Sequence, residues 1–397
     1  MKKEVKKRHY FWKKIFILFP AGLIARSYRF KTKKYKIKNT GPYLILGNHT
    51  VAVDPVLMSK AFDAPIYFVA SEQIFNLGIL SKALLYFFNP IAKTKSLSDI
   101  STIRKMKKII KEGGNIGIYV EGNLSYTGEN PTIPFSIAKL IKYLGLPVIF
   151  YVTKGLYLSN PRWSLNRKYG ASSGWVNKIW EKEEYASLSD EEIDQYVKEN
   201  LYHNCFDEQL VENTLYKGKD IALGLERLLY LCPKCHKPAF KSEHDHLVCE
   251  ECGYTLKYQE NGFIKDQDDY TYTLVDLENQ QRINLVNYLN DFKDEVIFKD
   301  QGIKQIATRK GKKHGIESII LITKNGIAID NELTLYQDIL SVAVQGKNKL
   351  IIYYKEKETI LFVFKNLESP YKYLNVYKYY KLGGNENDSI DITKLGL

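Results

Sequence analysis

Short apolar runs recur between residues 41 and 160, with amphipathic stretches between them. Tyr43–Leu46, Ile66–Ala70, Ile116–Val120 and Val148–Val152 lack in-and-out alternation, so each reads as a strand covered on both faces. Ile100–Glu112 and Ser136–Leu144 carry apolar residues at helical spacing. Strands alternating with helices predict an α/β layer structure, a mixed sheet flanked by helices. Ser189 with Glu192 three residues on is a capping box that opens a further helix.

The pattern changes after residue 225. A short segment, about 228–258, holds four of the five cysteines. A helical linker over 259–295, centred on Leu274–Phe292, follows it. Residues 296–390 are rich in strand patterns: Ser318–Thr323, a turn at Asn325-Gly326, Ile327–Asp330, Leu333–Val344, Leu350–Tyr354 and Thr359–Phe364. Ser369-Pro370 is a good N-cap and N1 pair for a last helix. Short strands closed by one terminal helix resemble a pleckstrin-homology (PH) or GRAM-type module. Tyr371–Tyr380 reads as amphipathic packing.

Charge singles out one segment. The chain has 397 residues and a net charge of +13. Residues 1–40 hold fourteen Lys or Arg and one Glu, and the other 357 are balanced at 44 of each sign. Hydrophobic residues at 45% and charged residues at 26% exclude a disordered, collagen-like or disulfide-scaffold chain. A basic terminal arm reads as a contact with an anionic surface. Nucleic acid is disfavoured, because phosphate contacts need clustered Lys and Arg and the rest of the chain is neutral. The run Lys310-Gly311-Lys312-Lys313 is a local one in a segment that also holds Asp300 and Glu317.

The leader's longest uncharged run, Ile15–Ala25, contains Pro20 and falls short of the roughly twenty apolar residues a spanning helix needs. No transmembrane helix is expected. Phe11, Trp12, Ile15, Phe16, Phe19 and Leu23 fall mostly at helical spacing beside Lys13 and Lys14, which favours an interfacial helix on an anionic membrane. The alternatives are a signal peptide and a helix packed on the domain or a solvated tail. A cysteine motif that needs reduced thiols argues against export. The expected location is the cytoplasmic face of the cell membrane, held peripherally.

Candidate chemistry begins in LILGNHTVAVDPVLM. His49 and Asp54 follow a buried strand, and a strand-to-helix turn would let them meet. Asp54 would then fix the imidazole tautomer and leave the other nitrogen to take a proton from a hydroxyl. IGIYVEGNLSYTGE ends a second buried strand at Glu121-Gly122, where α/β folds build their sites. LGLPVIFYVTKG opens a third at Pro147.

The order and spacing of these three motifs resemble the PlsC-like glycerolipid acyltransferases, the 1-acylglycerol-3-phosphate acyltransferase family. The resemblance covers about residues 40–155 and implies a PlsC-like domain over 41–225. It implies direct acyl transfer from acyl-CoA or acyl carrier protein to a lyso-lipid, with no covalent enzyme intermediate. His49 is then the base and Asp54 its partner. Glu121, Gly122, Asn123 and Ser125 match the motif that helps bind the acceptor. Pro147 matches the motif linked to the donor.

Two positions depart from the family. Leu124 stands where Glu-Gly-Thr-Arg-Ser has its arginine, and Lys93 is the nearest counterpart of a second motif's arginine, with Lys95 close by. Lysine binds phosphate as a point charge, without the guanidinium fork. Lysophosphatidate is the default acceptor; another lyso-lipid or a phosphate-free acceptor is the alternative. A catalytically inactive membrane adaptor is the rival from another class. No serine elbow or activated cysteine is present, and Cys205 reads as inert.

Cys232, Cys235, Cys249 and Cys252 form two Cys-x2-Cys pairs at the spacing of a structural zinc site. Four thiolates leave no open coordination position. The segment resembles a zinc ribbon, over 228–258, that could recruit a protein partner, as could the C-terminal module. Two disulfides or a redox dithiol are the alternatives, and His244 and His246 are alternative ligands.

Overall fold

The computed structural model describes residues 3–37, 41–71, 79–93, 100–308, 311–312 and 315–381. The chain divides into two compact units, Met1–Pro161 with Tyr169–Tyr216, and Arg162–Lys168 with Lys217–Leu397.

The first unit is built on a seven-stranded sheet: β1 (Phe30–Thr32), β2 (Leu44–Gly47), β3 (Ile66–Ser71), β4 (Ile91–Lys93), β5 (Asn115–Tyr119), β6 (Val148–Lys154) and β7 (Ser172–Trp180). Their order is β1-β7-β6-β2-β5-β3-β4. β6, β2, β5, β3 and β4 are parallel, and β7 runs against β6. The sheet is therefore mixed, as expected. The four apolar runs became β2, β3, β5 and β6, all central, which is why they do not alternate. One face is covered by a core of Leu44, Leu46, Ile116, Val148 and Phe150 with Met106 and Ile141. The other carries Tyr43, Ile45, Tyr119 and Tyr151 against Met58 and Phe62. β1 and β7 carry weaker apolar signals and were not legible in the pattern. The capping box at Ser189 and Glu192 forms at the head of helix Asp190–Leu201.

Because β2, β5, β3 and β4 are parallel, their C-terminal ends share one rim. His49 follows β2 there, Glu121 follows β5, and Lys93 ends β4.

The leader forms helices Lys7–Leu18 and Pro20–Ser27. One face packs on the domain, which was the alternative reading. His9 Nδ1 lies 2.9 Å from the Tyr67 hydroxyl, Lys13 Nζ donates to Phe62 O at 2.7 Å, and Glu4 pairs with Lys108 at 2.9 Å. Trp12, expected on the outward stripe, turns inward against Phe87. Phe11, Ile15, Phe19 and Leu23 remain exposed; the Phe16 side chain lies outside the described residues. No helix among the described residues is long and apolar enough to cross a membrane.

The second unit holds two antiparallel sheets. The first is β8 (Phe240–Glu243), β9 (His246–Cys249), β10 (Thr255–Tyr258), β11 (Ile264–Asp266) and β12 (Thr271–Tyr272). Helix Leu274–Asp291 follows, capped by Thr273. The second sheet contains β13 (Val296–Thr308), β14 (Gly311–Lys312), β15 (Ile316–Thr323), β16 (Gly326–Ile329), β17 (Glu332–Leu335), β18 (Ile339–Gln345), β19 (Lys349–Tyr354) and β20 (Ile360–Phe364). Lys310 and Lys313 lie outside the described residues. Helix Pro370–Lys381 follows, and the Ser369 hydroxyl accepts from the Lys372 N–H at 3.2 Å.

Three details differ from the sequence pattern. Residues 259–273, read as part of a helical linker, instead carry β11 and β12, which extend the first sheet before the helix starts at Leu274. Leu333–Val344 is not one strand, because Tyr336–Asp338 makes a 3-10 corner held by the Tyr336 hydroxyl on Thr323 O at 2.6 Å. β13 was not legible because Asp300 and Gly302 interrupt its apolar pattern. At Gly302 it pairs with β15 and β20 at once, and a Cβ there would sit 2.4 Å from the Phe362 ring.

Candidate active site

β2 stops at Gly47, and the chain turns through Asn48–Val53 into helix Asp54–Ala61. Asn48 locks this end of β2. Its side chain donates to Thr153 O at 2.9 Å and accepts from Thr153 N–H at 2.8 Å, which ties the turn to β6.

The turn brings His49 and Asp54 together. His49 Nδ1 lies 2.9 Å from Asp54 Oδ2. Asp54 is fully buried, and the same oxygen accepts the N–H groups of Thr50 at 2.6 Å and Val51 at 2.9 Å. An ionised carboxylate only accepts, so Nδ1 carries the proton and Nε2 offers a lone pair. The imidazole stacks on Tyr119 at 4.4 Å, and Tyr119 stacks on Phe68. Burial holds the Tyr119 phenol well above its ordinary range. The ring is thus fixed by one hydrogen bond and one stack, with its side chain 21% exposed.

The backbone of His49 is held too. Glu121 Oε2 accepts its N–H at 3.1 Å, and its C=O accepts the Ser125 N–H at 3.0 Å. Glu121 Oε1 accepts from Asn130 Nδ2. Ser125 Oγ donates to Glu129 O at 2.7 Å and accepts the Gly128 N–H at 2.8 Å. Both side chains are buried. Burial pushes the Glu121 carboxyl well above the carboxylate range, against the hydrogen bonds from His49 and Asn130.

So the structure gathers His49, Asp54, Glu121 and Ser125. Gly122, with φ 69°, and Asn123 are exposed at the same turn. Lys93 is exposed on the same rim, but β4 lies three ladder spacings from β2, about 14 Å at 4.8 Å each. Lys95 lies outside the described residues. Pro147 does not join the site. Its carbonyl accepts the Leu44 N–H at 3.0 Å at the start of β6, and a seven-residue strand puts it on the opposite rim, roughly 20 Å away.

Asn48, Tyr119, Asn130 and Thr153 were missed. Asn48 and Thr153 were the polar residues at the ends of apolar runs, a usable signal. Asn130 left none, since its role depends on a loop that folds back.

In the second unit, Cys232, Cys235, Cys249 and Cys252 bring their sulfurs within 4.8 Å of one another. Cys232 and Cys252 sulfurs are 3.7 Å apart, and those of Cys235 and Cys249 are 3.6 Å apart. A tetrahedron of thiolates about 2.3 Å from zinc has edges near 3.8 Å, so the quartet fits that ion. His236 and Gly253, each just after the second cysteine of its pair, take left-handed backbone. His244 pairs with Asp220 and His246 with Asp245, outside the quartet. In the first unit Cys205 is buried, and burial pushes its thiol well above the usual range.

Residues 15–151 match the family model described as Acyltransferase. A 1-acyl-sn-glycerol-3-phosphate acyltransferase of Borreliella burgdorferi is 25% identical over 121 residues, 30% of this chain and 48% of that protein. The chain thus spans about half the length of the curated relative it matches. The crystal structure of the 1-acyl-sn-glycerophosphate acyltransferase PlsC of Thermotoga maritima aligns with a TM-score of 0.42 and 17% identity, over 50% of this chain and 80% of that one. The solution structure of the N-terminal PH domain of human ARAP2 aligns with a TM-score of 0.18 and 16% identity, over 23% of this chain and 84% of that one.

Proposed function

We propose, for a chain that belongs through residues 15–151 to the PlsC-like acyltransferase family, that it moves a fatty acyl group from a thioester donor to the hydroxyl of a lysophospholipid. The observation that carries this reading is the buried Asp54 on Nδ1 of a stacked, partly exposed His49. His49 Nε2 takes the acceptor's hydroxyl proton as the oxygen attacks the thioester carbonyl. The tetrahedral intermediate expels the thiolate, which takes the proton back from the imidazolium. Asp54 holds the tautomer and stabilises that cation.

The default acceptor is 1-acylglycerol-3-phosphate, and the donor is acyl-CoA or acyl carrier protein. Leu124 removes a charge-assisted contact of roughly 1.5–3 kcal/mol, which leaves room for another acceptor. The leader would bind an anionic membrane face through its basic residues and the exposed Phe11, Phe19 and Leu23. That face is the cytoplasmic one, with the protein peripheral. Zinc on the four cysteines would be structural. The ribbon and the PH-like module would recruit a partner or orient the enzyme.

The test is acyl transfer by purified protein from labelled acyl-CoA and acyl carrier protein to a panel of lyso-lipids in mixed micelles. Transfer to lysophosphatidate supports the default acceptor. Transfer only to another lyso-lipid reassigns it, and no transfer from zinc-loaded, folded protein favours the inactive adaptor.

A further inference from the structure

A cavity of about 150 Å³ lies in the first unit, beyond the β6 flank of the site. Its lining includes Arg29, Lys31, Lys154, Ser173, Cys205 and Glu212. The three cations come from three places: the turn before β1, β1 itself and the last residue of β6. Arg29 sits in left-handed backbone, with φ 47°. Lys31 alternates with Phe30 and Thr32, which turn to the other face, where Thr32 Oγ1 meets the Tyr151 hydroxyl at 3.0 Å.

The cavity is coupled to the site at two points. Lys154 directly follows Thr153, the residue that Asn48 clamps beside His49. Cys205 packs so closely on Gly128 that a Cβ there would sit 2.4 Å from its sulfur, and Gly128 belongs to the loop that holds Ser125. Among the described residues, the side chains of Arg29 and Lys31 make no ion pair or hydrogen bond. Glu212 pairs with Lys154 at 2.5 Å, and Glu208 lies 3.4 Å from His203. Both acids line the cavity, and Glu212 neutralises Lys154 within it, so Arg29 and Lys31 are the lining cations without an ion pair among the described residues.

Reach decides which phosphate the cavity fits. The cavity runs from β6, one ladder spacing from β2, to β1, three spacings away, so its unpaired cations Arg29 and Lys31 lie about 14 Å across the sheet from β2. At roughly 3.5 Å per three backbone-like bonds, the thirteen or so bonds from phosphorus to sulfur in phosphopantetheine span about 15 Å. The four bonds or so from phosphorus to the hydroxyl of a glycerophosphate span only about 5 Å on the same scale. We propose that this cavity docks the phosphate of a phosphopantetheine-bearing acyl donor, with Arg29 and Lys31 as its ligands and Glu212 restraining Lys154. The proposal rests on the acyl-transfer reading of His49 for its biological sense, but not for its test.

The test is calorimetric binding of coenzyme A and of 4′-phosphopantetheine to the full, zinc-loaded chain, alongside lysophosphatidate. Arg29→Gln with Lys31→Gln is expected to weaken coenzyme A binding about tenfold or more, since charge-assisted contacts to phosphate are lost. Glu212→Gln is expected to tighten it several-fold by releasing Lys154, a gain that a misfolded variant could not give. Weakening of both probes supports the pantetheine phosphate as the group docked, and weakening of coenzyme A alone, with 4′-phosphopantetheine unchanged, overturns that assignment in favour of the nucleotide phosphates. Unchanged coenzyme A binding, or loss of lysophosphatidate affinity in its place, overturns the proposal. His49→Ala is expected to keep the wild-type coenzyme A affinity, so the cavity stands or falls separately from turnover.

Discussion

Glu121 holds the backbone of His49, not its imidazole: Oε2 accepts the His49 N–H at 3.1 Å while Oε1 takes the Asn130 amide. The Glu121 carboxyl, two residues past β5, thereby fixes the position of a base that follows the neighbouring strand β2. Asn130→Asp alone would set two carboxyls against each other in a buried site, and kcat is expected to fall about tenfold with the donor and acceptor KM little changed. Adding Glu121→Gln supplies an amide donor to Asp at 130 and is expected to restore most of kcat. A double variant no better than the single one would contradict the contact.

The same carboxyl carries a pH signature. Burial raises the folded-state pKa of Glu121 above its ordinary 4.5. The folded state then binds the proton more tightly than the unfolded state, so this contribution is full below about 4.5 and is lost as pH rises through the higher folded value. Thermal unfolding of wild type and Glu121→Gln across pH 4 to 8 reads it directly. The variant is expected to gain on wild type as pH rises; a constant gap would mean the carboxyl is not shifted.

The four cysteines predict one zinc ion per chain by elemental analysis. Cys232→Ser and Cys249→Ser are expected to lose it and to open the 232–258 segment to protease. Zinc-site binding in such modules is worth on the order of 10–16 kcal/mol, so a retained fold without metal would argue against a structural role.

The leader gives an interfacial prediction. Phe11, Phe19 and Leu23 are 60%, 72% and 61% exposed, so changing all three to Ser removes little packing. Each apolar side chain buried in a bilayer contributes up to roughly 1.5–3 kcal/mol. Partition onto anionic vesicles is expected to fall on the order of 100-fold, with Tm within a degree or two of wild type. Equal binding of the triple variant would assign the leader to domain packing alone.

Legibility followed burial on both faces. β2, β3, β5 and β6 are central strands, and their unbroken apolar runs revealed them. β7 and β13 stayed hidden because β1 covers only Ser172–Gly174 of β7, which leaves Lys178 beyond it, and because Asp300 and Gly302, the latter packed under the Phe362 ring, break the apolar run of β13. His49 and Asp54 were readable because only four residues separate them across one turn. The strut from Asn130 through Glu121 was not, because it depends on a loop returning after nine residues. Pro147 shows the converse: a motif position can be fixed by sheet packing on the rim opposite the base.

The central claim is that His49 is the base. The most direct measurement is kcat for acyl transfer by His49→Ala, with Tm and zinc content recorded on the same protein. A positioned general base is worth roughly 10²–10⁴ in rate, and kcat is expected to fall by that factor while Tm and zinc content stay at wild-type levels. Wild-type kcat in the folded variant would contradict the account.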